Sequence, residues 1–534
     1  MVIRQSFNNT QKNMGTYINR GNGAFQMTRN SEYVDKSGLI AVINSILNTE
    51  QRFACVSRSR RFGKSLAIKM LAAYYDQSCD SRSLFADLEI AGNPSFEQHL
   101  NKYPVIYVDM TDFVTRFRDD SIVEKIKQEL MNDIRQAYPD LQPDEDDDFM
   151  GYLFRLYDAK KQQFILLIDE WDAILREFGH NNAVKDQFVN LLRRMFKDAS
   201  SEAFAAVYMT GILPIKKYKT QSALNNFTEY SMVDPGAMAP FFGFTKDEVR
   251  QLAEKYRVDF NELVKWYDGY QIGDEPSMFN PNSVIMAVQR RRCRSYWGKT
   301  GTFEAVADYI KMNYDGLKDA IILMLAGGRV KVNTTKFQND LSIVQSKDDV
   351  LTVLIHLGYL SFDYNRDECY VPNHEVSGEL RNAVENTGWG NVVKALRQSD
   401  DLLQATLDGD AEAVARGIEL THDENTSILS YNNENSLACV LSIAYYTAHN
   451  DYIFHRELPT GKGFADLVLI PRKNIASPAL VIELKCDRDA DSAIDQIKRR
   501  QYTAKLEQYT GNILLVGINY DRDSKIHTCR IEKA

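Results

Sequence analysis

A short apolar stretch, Arg52 to Val56, runs into a loop that closes on Gly63-Lys64-Ser65, and a helical pattern continues from there to about Tyr75. Strand, loop and helix in that order constrain the fold strongly. Backbone N–H groups at a helix start converge on phosphate, and the helix dipole favours its negative charge. Lys64 is placed to reach the β- and γ-phosphates of a nucleotide, and the Ser65 hydroxyl to hold Mg²⁺. A phosphate loop usually carries a glycine five residues before Gly63, but Arg58 stands there. With Arg60 and Arg61 it makes the loop strongly basic.

A second strand supplies the chemistry such a loop needs. Phe164 to Ile168 is almost wholly apolar and ends in Asp169-Glu170. Buried charges are costly unless paired or metal-bound. Asp169 is therefore expected to hold Mg²⁺ with its water, and Glu170 to polarise the attacking water as general base. Read alone, the run is equally an ordinary strand ending in a solvated acidic turn; beside Lys64 and Ser65 it favours an ATPase. A further strand, Ala203 to Met209, ends at Thr210-Gly211. In ATPases with a strand inserted between the phosphate-loop and acidic strands, a polar residue here senses the γ-phosphate, and Thr210 is the candidate; the alternative is a simple turn. Strands at Val105 to Val108 and elsewhere alternate with helices such as Ile122 to Ala137, which predicts a parallel sheet covered on both faces.

The 534 residues exceed one core. The expected division is a segment over 1–30, polar and lightly packed; a P-loop ATPase domain over 31–243; and a helical lid with a winged-helix-like region over 244–390. A helical connector over 391–430 and a small α/β domain over 431–534 complete it. The winged-helix reading rests on Leu351 to Gly358 followed by strands Tyr359 to Asp363 and Glu368 to Pro372. Acids Asp144 to Asp148 read as a solvated loop. The net charge of -9 argues against a basic coat protein for nucleic acid but leaves local patches open. Seven scattered cysteines without a CxxC pair read as reduced thiols, and the eight histidines show no zinc spacing. No GxSxG elbow, secretory signal or apolar run of about 18 residues is present, so a cytoplasmic protein without a membrane span is expected.

The last hundred residues carry a second constellation. Asp466 lies in the strand Phe464 to Ile470, and Glu483 and Lys485 in the strand Ala479 to Lys485. Alternation puts Glu483 and Lys485 on one face. Two carboxylates can hold one or two divalent cations that clamp a phosphodiester, and Lys485 can orient or deprotonate water. The competing explanation is a cross-strand salt bridge. Glu434, on the preceding helix, offers another acid.

Tyr33-Val34-Asp35-Lys36, Arg60 to Ser65, Ile168 to Asp172, Thr210-Gly211, Leu224 to Phe227, Gly243-Phe244-Thr245, Trp266 to Tyr270 and Phe279 to Ser283 resemble, in order, the blocks of the bacterial AAA-ATPase-like family. That family's loop also begins with arginines rather than glycine. The resemblance implies an ATP-binding domain with Asp169 and Glu170 as its acidic pair, and a cofactor set of ATP and Mg²⁺. Read from the residues themselves, the aromatics of Tyr267 to Tyr270 pack a lid. Arg290 to Arg294 is read as a solvated helix end, with contact to a phosphate backbone as the alternative. Arg193 and Arg194 are candidates for an arginine offered to a neighbouring subunit, should the chain form a homo-oligomer. The C-terminal region, Glu434 to Ile531, resembles the PD-(D/E)XK nuclease fold, with Ala465 in place of the usual proline. By that resemblance Glu434, Asp466, Glu483, Lys485 and Gln496 form its site, served by Mg²⁺ or Mn²⁺. Tyr502, six residues after Gln496, is not on one helical face with it, and the two border a common groove only if their helix lies across it. Together the readings give an ATPase controlling a metal-dependent nuclease, with DNA ahead of RNA as substrate. The alternative is a nucleotide-switched regulatory module whose nuclease fold only binds nucleic acid or protein.

Overall fold

The computed structural model describes residues 15–534 except 180, 198, 216–223, 298–309, 311–313, 315, 326–327, 338–343, 386–389, 426–440, 442–443, 461–462, 472–476 and 500–511. Two compact units divide the chain: residues 1–299 with 331–376, and residues 300–330 with 377–534.

The first unit is built on a five-stranded parallel sheet. Its strands are β1 (Phe53–Ser57), β2 (Val105–Asp109), β3 (Phe164–Asp169), β4 (Phe204–Gly211) and β5 (Thr228–Tyr230), in the order β2-β3-β4-β1-β5. β4 thus lies between β1 and β3, the inserted-strand order expected from the Thr210 segment. Strand alternation divides the apolar residues into two layers. Leu166 and Ile168 face a cluster with Ile126, Leu130 and Leu192, while Ile165 and Leu167 face another with Ile68, Leu71 and Ile43. The helix α1 (Lys64–Tyr75) starts where β1 and its loop end.

One expectation for this unit changes and another is refined. The segment before residue 31 is not all lightly packed: Tyr17 and Ile18 are buried, and Ile18 bridges Ile106 beside β2. The buried carboxylate of Asp133 accepts the N–H groups of Thr16, Tyr17 and Ile18 at 2.7, 2.8 and 2.9 Å, which pins the segment down. The acidic run is the solvated loop expected, but some of its charges are paired. Asp148 caps the helix Phe149–Lys160 through Gly151 N and pairs with Arg194, and Asp147 pairs with Arg155.

Within the same unit, Thr245 and Glu248 form a capping box on the helix Lys246–Tyr256. Asn280 caps Pro281–Arg290, with Pro281 in the first turn. The helix Lys347–Leu357 ends at Gly358 in the left-handed region, followed by an antiparallel ribbon of Ser361–Asp363 and Glu368–Tyr370.

The second unit holds a mixed sheet of β6 (Tyr452–Thr460), β7 (Gly463–Pro471), β8 (Ala479–Cys486), β9 (Ile513–Asp521) and β10 (Ile526–Lys533), in sequence order. β8 and β9 run parallel and the other pairs antiparallel. The helix α2 (Ala490–Arg499) covers one face through Ile494 and Ile497. The other face is covered by helices Gly390–Asp408 and Ala411–Asn425, whose Leu402, Leu403, Val414 and Ile418 join Leu480, Ile482 and Val516 in one cluster. The stretch expected to be a connector is therefore part of this core, because its apolar face has the sheet to bury against. Among the described residues no helix is long and apolar enough to cross a membrane.

Candidate functional site

Parallel pairing brings the C-terminal ends of β1, β3 and β4 to one edge of the sheet, with Ser57 beside Gly211 and Asp109 beside Asp169. The loop after β1 turns through Arg61 at φ 68° and Gly63 at φ 95°, and a Cβ on Gly63 would meet no atom within 4 Å. This leaves an open backbone cradle at the start of α1. Lys64, only 4% exposed, donates from Nζ to the carbonyls of Arg58 (3.0 Å) and Ser59 (3.2 Å) and lies 3.5 Å from Glu170 Oε1. Thr210 Oγ1 donates to Asp169 Oδ1 at 2.6 Å, and the Ser65 hydroxyl lies near the same carboxylate. Burial pushes the Asp169 carboxyl above its ordinary range, opposed by these two hydroxyls. Burial acts on Glu170 in the same sense, but Lys64 and Arg176 outweigh it and hold that carboxyl low.

These groups line a cleft of about 1110 Å³ whose other wall is more apolar and includes Tyr33, Val34, Phe244 and Ile285. An open cradle, a buried ammonium, and a hydroxyl beside a buried carboxylate fit a magnesium nucleotide, since Mg²⁺ takes oxygen ligands and retains water.

The three loop arginines diverge. Arg58 does not face the cradle: it is fully buried, and its Nη1 donates to the carbonyls of Ser57, Tyr230 and Ser231 at 3.0, 2.9 and 2.9 Å. Burial pulls its basicity down to about 10. Arg61 is exposed, lines the cleft and donates to the Tyr296 carbonyl at 2.5 Å. Arg60 lines the cleft, half-buried near Arg176 and Glu170. Arg193 and Arg194 do not line the cleft; they bond Asn190 and Asp148.

Sequence reasoning passed over three residues here. Asp109 ends β2 and caps the helix Met110–Arg116, and burial together with Asp169 and Glu170 raises its carboxyl. Asp172, buried, accepts from the N–H groups of Ile212 (3.3 Å) and Leu213 (3.0 Å) and pairs with Arg176 Nε at 3.1 Å. Arg176 in turn reaches Glu170 Oε2 at 2.8 Å. An arginine four residues after an aspartate is a readable helical pair, but its second partner emerges only in three dimensions.

The phosphate loop also packs directly on the winged-helix-like region. Phe62 meets Tyr270 edge-on at 5.0 Å, and Tyr270 donates its hydroxyl to Gly358 O at 2.8 Å. A Cβ on Gly358 would lie 2.6 Å from Ser59 Cβ.

In the second unit Glu483 and Lys485 are 1% and 7% exposed, with Lys485 Nζ 3.1 Å from Glu483 Oε1. Gln496, on α2, donates its amide to the same oxygen. The β7–β8 register pairs Leu467 with Ile482, so Asp466 and Glu483 are the next positions along the two strands. The Asp466 side chain, and Glu434 and Tyr502 entirely, lie outside the described residues. Among the described residues no group of three or more acids, histidines or cysteines is arranged to hold a metal.

Residues 24–220 match the family model of a predicted AAA-ATPase, and residues 432–529 that of the PD-(D/E)XK nuclease superfamily. A protein of Azotobacter chroococcum mcd 1, described as uncharacterized and from the vnfD 5' region, is 23% identical over 516 residues, covering 92% of this chain and 93% of that one. The solved ORC2 protein of Aeropyrum pernix, in ADPNP-ADP complexes, covers 69% of this chain and 98% of its own at 10% identity, a loose likeness with a TM-score of 0.33. The chain thus carries, over residues 24–220, a region similar to the predicted AAA-ATPase family and, over residues 432–529, one similar to the PD-(D/E)XK nuclease superfamily.

Proposed function

We propose that the protein hydrolyses ATP and that its nucleotide state controls a metal-dependent nuclease acting on DNA in preference to RNA, in the cytoplasm. The observation that carries the first half is the convergence of Lys64, Ser65, Asp169, Glu170 and Thr210 on one cradle. Lys64 would exchange its carbonyl partners for phosphate oxygens, and Thr210 would hold Asp169 in place. Ser65 and Asp169 would hold Mg²⁺, which neutralises charge on the phosphates. The packing of Phe62 and Ser59 on Tyr270 and Gly358 supports nucleotide control, since a shift in the loop must be felt there. The nuclease half rests on Glu483, Lys485 and Gln496, with Asp466 at the adjoining register position. There Asp466 and Glu483 would hold Mg²⁺ or Mn²⁺, and Lys485 would orient water.

The test is cleavage of single- and double-stranded DNA and RNA with Mg²⁺ or Mn²⁺, with and without ATP. Cutting should vanish in Asp466→Ala and Lys485→Ala, and Lys64→Ala should change its dependence on ATP. Equal cutting with and without ATP, in wild type and Lys64→Ala alike, refutes the control. Nucleic-acid binding without cutting leaves the nuclease fold as a binding module.

A further inference from the structure

Glu170 is held at both ends. Its Oε1 faces Lys64 Nζ at 3.5 Å and its Oε2 faces Arg176 Nη2 at 2.8 Å. Its backbone sits in the left-handed region at φ 48°, which few non-glycine residues occupy without support. One of the two anchors is temporary: Lys64 belongs to the phosphate loop, and bound phosphate would claim its ammonium. The other is fixed. Arg176 is ion-paired with Asp172, its Nε 3.1 Å from Oδ2, and Asp172 accepts from the backbone N–H groups of Ile212 and Leu213, just beyond β4. A chain of contacts therefore runs from rigid backbone to one oxygen of Glu170 and leaves the other facing Lys64.

We propose that Arg176 is the positioning residue of the hydrolysis site. It holds Oε2 of Glu170 so that Oε1 addresses the attacking water when phosphate takes Lys64. This rests on the ATPase reading above. In the step it serves, the water oxygen bonds to the γ-phosphorus. The bond from that phosphorus to the β–γ bridging oxygen breaks, its electron pair leaving with ADP, and the water's proton passes to Oε1.

A residue that acts through Glu170 has a distinctive signature. Arg176→Ala should lower kcat roughly 10- to 100-fold, a part of the factor of about 10² to 10⁴ that a general base contributes. KM for ATP and the affinity for a non-hydrolysable ATP analogue should stay within about twofold, because uniform binding is untouched. Arg176→Lys should recover part of the loss. In a Glu170→Gln background, Arg176→Ala should cost nothing more, because residues acting as a unit are not additive. If alanine unfolds the chain, Arg176→Gln is carried through the same cycle. A wild type without turnover overturns the ATPase reading and this assignment with it. Turnover unaffected by Arg176→Ala, losses that multiply with those of Glu170→Gln, or analogue affinity falling as far as kcat overturn the assignment alone.

Discussion

Gly358 is where the phosphate loop and the winged-helix-like region press together, and Gly358→Ala tests whether that contact matters. The residue lies at φ 85°, and a Cβ there would sit 2.6 Å from Ser59 Cβ, 2.8 Å from Ser59 Oγ and 2.9 Å from Trp297 Cη2. Two costs add. The left-handed backbone costs an alanine about 1–2 kcal/mol more than a glycine, and overpacking a dense interior costs about 1–3 kcal/mol. The expected destabilisation is therefore about 2–5 kcal/mol. The second cost can be isolated by removing its partner, because Ser59 Oγ is buried without a hydrogen bond and Ser59→Gly forfeits none. In the double variant Ser59→Gly/Gly358→Ala the backbone cost stays and the clash with Ser59 goes, so the double-mutant cycle should return about 1–2 kcal/mol of favourable interaction. Chemical denaturation of the four chains measures it. ATP affinity should follow the same pattern, because the Ser59 carbonyl is one of the two that hold Lys64. A cycle that closes to zero, or a Gly358→Ala chain as stable as wild type, refutes the claim that the loop bears on this region.

Two further substitutions probe the two units separately. Thr210→Val removes the 2.6 Å hydrogen bond to buried Asp169; it should destabilise the first unit by about 1–3 kcal/mol and abolish ATP turnover more than ATP binding, read by unfolding and steady-state kinetics. Gly517→Ala would place a Cβ 2.4 Å from the Ala490 carbonyl, a contact that no side-chain rotation relieves; it should push α2 and Gln496 off the sheet and eliminate cutting while ATP turnover persists.

The parts of the site that were legible in the sequence are those whose signal is local. Gly63-Lys64-Ser65 follows a strand and opens a helix, and Asp169-Glu170 ends an apolar run, so each announces itself within about ten residues. The position of β4 between β1 and β3 also agrees with its Thr210 terminus. What escaped depends on chain segments far apart. Arg58 reads only as one of three charges in a basic loop until the carbonyls of Tyr230 and Ser231 are seen to take its guanidinium. Asp109 ends an unremarkable strand and reaches the site only because parallel pairing sets it beside Asp169. The helices Gly390–Asp408 and Ala411–Asn425 have amphipathic faces whose partner, the C-terminal sheet, lies beyond the next segment of chain.

The short motifs outside the phosphate site show why an aromatic, glycine-centred block need not be a ligand site. In Tyr267-Asp268-Gly269-Tyr270, Gly269 lies at φ 105° with a would-be Cβ 1.9 Å from the Pro372 carbonyl, so only glycine fits. Tyr267 exchanges hydrogen bonds with the backbone of Arg294, and Tyr370 donates to the Gly269 carbonyl. Tyr270 spans from Phe62 of the phosphate loop to Gly358. The packing role expected for these aromatics is the one observed, but the surface they pack includes the nucleotide loop itself. A block outside the phosphate loop can therefore be as tightly constrained as the loop itself, because it fixes how the loop meets the region behind it.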